Sequence, residues 1–105
     1  MKKLKLMLDY QCYPIWIYDE DGKFVDNELT GEIESDSELC NLLKDIMNHY
    51  DALFFSNNIE FSYKGFCNEN EKKKFIYMLK QAYEMLLERL GDKYDIIDGI
   101  DYKLL

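Results

Sequence analysis

Apolar and polar residues alternate from Lys3 to Tyr10, with Leu4, Leu6 and Leu8 on one side and Lys3, Lys5, Met7 and Asp9 on the other. A period of two puts successive side chains on opposite faces, so this stretch predicts a half-buried strand. Tyr13 to Tyr18 (YPIWIY) is apolar on both sides: Ile15 and Ile17 point one way, Trp16 and Tyr18 the other. Pro14 near its start suits a strand's first residue or an edge, since proline cannot donate to a ladder. One face of this strand meets the core, and the second needs a cover, either a helix or a partner. Asp19-Glu20-Asp21-Gly22 then predicts a hairpin turn, with Asp21-Gly22 at its positive-φ positions. Lys23 to Asp26 returns as a short third strand. Asn27 to Glu34 has no clean period and reads as an ordered loop pinned by Leu29 and Ile33.

The period then changes. Ser35-Asp36-Ser37-Glu38 matches a capping box, in which Ser35 and Glu38 would satisfy free backbone N–H groups reciprocally. Leu39, Leu43, Ile46, Tyr50 and Leu53 follow at spacings of three and four, an amphipathic helix that Asn57-Asn58 would end. Ile59 to Lys64 alternates again, predicting a strand with Ile59, Phe61 and Tyr63 on one face and Glu60, Ser62 and Lys64 solvated. Phe61 and Tyr63, like Ile15 and Ile17, are expected in the core. Asn68 with Glu71 repeats the cap signature for a second helix, whose stripe is Phe75, Met78, Leu79, Ala82, Leu86 and Leu90. Gly91 stands where a left-handed residue would end it. Lys72-Lys73-Lys74, at the wrong end for the helix dipole, reads as a solvated face. Tyr94 to Ile97 is the last strand. The order β-β-β-α-β-α-β predicts an α+β fold: an antiparallel or mixed sheet of four to five strands with two amphipathic helices on one face. At 105 residues it is expected to form a single domain, 1–105.

Composition narrows the function classes. With 48% apolar and 15% aromatic residues, the chain has the material for a core and is no disordered acidic tail. A net charge of −8 argues against direct binding to nucleic acid or to an anionic membrane, and favours a basic partner or simple solubility. The charge is local. Asp19 to Glu38 holds nine carboxylates against one base, Lys23, so this segment alone equals the net charge of the chain. Within it, Asp19 to Gly22 serves a turn and Ser35 to Glu38 a helix start. Local structure gives no reason for Asp26, Glu28, Glu32 and Glu34. These four, with Trp16 and Tyr18 beside them, are the candidate partner-binding residues, because carboxylates steer a basic protein and aromatics anchor it.

Catalytic and metal templates fail. The sequence has no GxGxxG, phosphate loop or HExxH. The glycine of Asp19-Glu20-Asp21-Gly22 falls too early for a calcium loop. Cys40 and His49 lie about 13 Å apart along one helix, too far to form a nucleophilic pair, which leaves Cys12 or Cys67 as a partner for His49. The three cysteines form no CxxC and are expected as reduced thiols in the cytoplasm. Lys5 and Asp9 interrupt any signal-peptide core, and no apolar run is long enough to span a membrane. The expectation is a binding protein, not an enzyme, with no cofactor and no metal. A nucleic-acid mimic regulating a phage or mobile element, and a small enzyme, are the alternatives.

The segment YDALFFSNNIEFSYKGF (Tyr50 to Phe66), following YPIWIYDEDG, resembles the small cytoplasmic immunity proteins of bacterial toxin systems in size, acidity and aromatic style. Such proteins are compact acidic domains made beside a toxin whose active site they cover. The resemblance implies an inhibitor of a basic toxin domain, often a nuclease. It carries over no binding residues, because immunity proteins comprise several unrelated folds.

Overall fold

The computed structural model describes residues 1–56 and 59–105. Strands β1 (Lys2–Leu6), β2 (Ile15–Tyr18) and β3 (Phe24–Asp26) precede a helical turn α1 (Gly31–Glu34) and helix α2 (Ser37–Asp51). Strands β4 (Phe54–Ser56) and β5 (Phe61–Tyr63), helix α3 (Glu69–Leu90) and strand β6 (Tyr94–Asp98) follow, and a 3₁₀ turn spans Tyr102–Leu104. The expected α+β class is observed. The main sheet is mixed, in the order β3-β2-β1-β6, with β1 antiparallel to β2 and parallel to β6. β4 and β5 form a separate antiparallel pair.

Register explains which face is buried. Leu4 lies opposite Ile17 on one side and Ile96 on the other, and Leu6 lies opposite Ile15. Directly opposed residues share a face, so these side chains form one apolar floor. Leu39, Leu43 and Ile46 of α2, and Phe75, Leu79 and Leu86 of α3, pack onto it in one buried cluster. The helices run antiparallel. Arg89 near the end of α3 reaches Asp36 at the start of α2, while His49 of α2 and Glu71 of α3 line one cavity at the other end.

Several local expectations shift. The cap of α2 is Asp36, whose carboxylate accepts from Leu39 N at 3.2 Å, and not Ser35. Ser35 instead closes α1, its hydroxyl donating to Glu32 O at 3.1 Å. Asp and Ser cap about equally well, and Asp36 adds an ion pair that Ser35 could not make. Glu38 pairs with Arg89. Glu32 and Glu34, expected in a loop, lie on the helical turn α1, pinned by fully buried Ile33. The first helix ends at Asp51, and Phe54–Ser56 is a strand the 3.6 period had absorbed. Asn57-Asn58, the expected helix end, lies outside the described residues. Asn68 caps α3 as expected, accepting from Glu71 N at 2.9 Å. Gly91 is right-handed, with φ −65°, its N–H bonding Leu87 O in a last helical turn.

Phe61 and Tyr63 are the largest departure. They were expected in the core, yet they are 56% and 48% exposed. β5 pairs with β4 and not with the main sheet, so its rings lie outside the floor that α2 and α3 cover.

Candidate protein-docking surface

The face of the main sheet opposite the helices is built by the odd members of the same alternation. Register sets Trp16 against Lys5, and Tyr18 against Lys3 on one side and Phe24 on the other. The Phe24 ring joins the other two, with centroids 5.6 Å from Trp16 and 6.0 Å from Tyr18. Phe24 is half exposed, and all three residues of the edge strand β3 are exposed. The Trp16 indole N–H is sealed from solvent with no acceptor. An indole only donates, and leaving a buried donor unmet costs about 1–3 kcal/mol.

The turn that brings β3 back is held by Asp19, whose carboxylate accepts from Asp21 N at 2.9 Å and Lys23 N at 2.8 Å. Gly22 takes φ +85°, as a turn residue should, while Asp21 does not have positive φ. Asp26 lies opposite Ile17, after an irregularity that gives β3 an extra residue there. The Asn27 amide then donates to Tyr13 O at 2.9 Å and Ile15 O at 2.7 Å, fastening the end of the edge strand to β2.

From there the chain leaves the sheet. Glu28 is exposed in the connection, and Glu32 and Glu34 are exposed on α1. Glu32 does have local work, contrary to expectation. Its own backbone N–H and the Thr30 hydroxyl hold its carboxyl below the usual range, with Lys93 adding to the effect. Burial pushes the Tyr94 phenol up, and Glu32 beside it pushes the same way. Glu32 therefore faces the turn between α3 and β6. The six candidate residues divide in two. Trp16 and Tyr18 meet through Phe24, while Asp26 lies opposite Ile17, Glu28 is in the connection, and Glu32 and Glu34 share α1, with Glu32 toward the start of β6. Lys3 and Lys5 stand beside the aromatics, so the open face itself is mixed in charge.

A family model described as Serratia CdiI immunity protein-like matches residues 2–97, nearly all of the chain from β1 through β6. The chain belongs to this family. No curated protein matches it. An immunity protein acts on a toxin, so membership implies a toxin partner and fits the resemblance drawn from Tyr50 to Phe66.

Sequence reasoning missed a second group of aromatic side chains. Tyr10, Tyr50, Phe54, Phe61 and Tyr63 form a second aromatic cluster: Phe54 stacks on Phe61 at 5.4 Å, and Tyr10 meets both at 5.0 and 4.9 Å. The signal was the aromatic density of YDALFFSNNIEFSYKGF, which alternation alone assigned to a core.

The remaining chemistry is modest. His49 and Cys67 line one cavity of about 380 Å³, but His49 Nδ1 lies 2.7 Å from the Asp45 carbonyl of its own helix. Burial raises the Cys12 thiol pKa, helped by Asp9 and Asp51, which disfavours the thiolate. Among the described residues no group of three His, Cys, Asp or Glu is placed to hold a metal, and no helix is long and apolar enough to cross a membrane.

Proposed function

We propose that this chain is a non-enzymatic inhibitor that works in the cytoplasm as one domain. It neutralises a cognate toxin domain of basic surface, of the nuclease class, by covering the cationic region that holds substrate phosphates. The docking surface runs from the aromatic β3 edge of the main sheet along the connection to α1. Trp16 and Tyr18, under Phe24, supply apolar anchors; Asp26, Glu28, Glu32 and Glu34 supply the charge that steers the partner in. The observation that carries this reading is the two-faced sheet in an immunity-protein-like chain: one face lies under helices, and the other carries Trp16, Tyr18 and Phe24, with exposed Asp26 on the edge strand. Aromatic anchors dominate interface energies, while rim charges act mainly on association rate.

The test is binding to the toxin domain encoded beside this chain. Glu28→Lys with Glu34→Lys should slow association about tenfold at low salt, and added salt should shrink that difference. Glu32 is left intact because it also holds its own turn. Tyr18→Ala with Phe24→Ala should instead speed dissociation. Unchanged rates in both pairs, or association indifferent to salt, would place the interface on another face.

A further inference from the structure

At the far end of β1, the second aromatic cluster walls a groove of about 340 Å³ lined by Met7, Leu8, Tyr50, Phe54, Tyr63, Gly99, Ile100, Asp101 and Leu105. We propose that this groove receives the guanidinium end of an arginine side chain presented by a protein partner. This lies beyond the β3 edge: Tyr18 and Phe24 align with Lys3 early in β1, whereas the groove opens past Leu6, where Gly99 N bonds Leu6 O at 2.8 Å.

Ring geometry is the first argument. Phe54 stands 5.2 Å from Tyr50 and 5.2 Å from Tyr63, turned 67° and 60° to them. The three rings pack edge to face and all border the groove, so it is lined by the π-systems that attract a cation. Charge is the second. Among the described residues, Asp101 is the one charged residue in the lining, and no lysine or arginine lines it. Asp9 and Asp51 flank the Tyr50 wall and help push its phenol pKa up, after burial. Backbone N–H groups of Tyr10 and Gln11 hold those two carboxylates in place, each at 2.8 Å. The apolar remainder, Met7, Leu8, Ile100 and Leu105, suits the methylene stem that carries the charge. The same end of the molecule already makes one such contact, with Lys80 Nζ 5.7 Å from the Tyr102 ring centroid. Arginine fits better than lysine because its flat, weakly hydrated head stacks on rings.

The test uses the full chain and no toxin, so its failure leaves the β3-edge proposal standing. N-acetyl-arginine methylamide, followed by NMR, should shift the Gly99 and Ile100 amides and the Tyr63 ring saturably. N-acetyl-leucine methylamide should bind at least about threefold more weakly. Tyr63→Ala and Asp101→Asn should each weaken the arginine probe about threefold, and Tyr63→Phe, which keeps the ring, should not. Asparagine at 101 keeps the oxygen that accepts from Lys103 N, so the 3₁₀ turn survives. Equal or tighter leucine binding overturns the proposal. So does tighter binding of tetramethylammonium, which would assign the groove to a free onium ligand. Arginine shifts confined to residues 19–38 overturn it as well.

Discussion

The two sheets follow the same alternating rule and end in opposite surroundings. In the main sheet, Leu4, Leu6 and Ile15 are fully buried beneath α2 and α3. In the β4–β5 pair, Phe61 and Tyr63 keep the same spacing on larger rings, yet about half of each faces water. Propensity does not separate them, since aromatic residues favour strands as strongly as branched aliphatics. The separation comes from the next layer. The main sheet is four strands wide and carries two antiparallel helices with matching apolar stripes. The ladder of the smaller pair continues through Lys64 N and Gly65 N bonding Leu53 O, and its ring contacts with Tyr10 and Tyr50 tie it to the body. A stripe left outside the buried cluster becomes a surface, and a contiguous exposed apolar patch is the kind of surface that marks an interaction site.

The comparison breaks most directly through truncation in each sheet. Leu6→Ala, at a fully buried position, should cost about 2–5 kcal/mol in urea unfolding. Phe61→Ala removes a larger side chain and should cost less than about 1.5 kcal/mol, because half of that ring gains nothing from folding. Equal losses would mean that the β4–β5 pair is as much core as the main sheet.

The layer over the main sheet is clamped at one end by Arg89, whose Nη1 lies 2.7 Å from both Asp36 oxygens while Nη2 pairs with Glu38. The hydrogen bond from Arg89 holds the Asp36 carboxyl below its ordinary range, and the Leu39 N–H adds to this. A lowered folded pKa means stability that is complete above the unfolded carboxylate value of about 4 and is lost as pH falls through the folded one. Arg89→Gln should therefore lower stability at neutral pH and flatten its fall below about pH 4, measured by urea midpoints across pH. An acid limb identical to that of the parent protein would remove the clamp. The open face should give the smallest change. Trp16→Phe discards the sealed indole N–H that has no acceptor, while keeping a ring beside Phe24. Stability should hold or rise by up to about 1 kcal/mol. A clear loss would show that the indole is satisfied in solution.

Much of this was legible in the chain. The apolar positions of β1, β2, α2 and α3, the Asn68 cap, the glycine turn at Gly22 and the mixed α+β order all follow from periods of two and 3.6 and from short-range backbone chemistry. These are rules about neighbours along the chain, and they leave their mark in neighbouring residues. The acidic run from Asp19 to Glu38 was also readable, together with its division into turn, free and capping parts. Two details in it were not. Asp36 is at once the cap and the partner of Arg89, 53 positions away, a pairing that no local rule carries. Glu32 acquired local work because α1 turns its carboxyl onto its own backbone N–H and the Thr30 hydroxyl, with Lys93 adding to the effect.

Alternation states that a strand has an apolar face; it cannot state what lies over that face. Trp16 and Tyr18 alternate as regularly as Leu4 and Leu6, and Phe61 and Tyr63 as regularly as Ile15 and Ile17. Sequence therefore determined which residues share a side. Tertiary structure alone decided which sides are buried, because burial depends on contacts between segments far apart in the chain: α2 and α3 close over the floor of the main sheet, while Phe61 and Tyr63 stay outside that cluster.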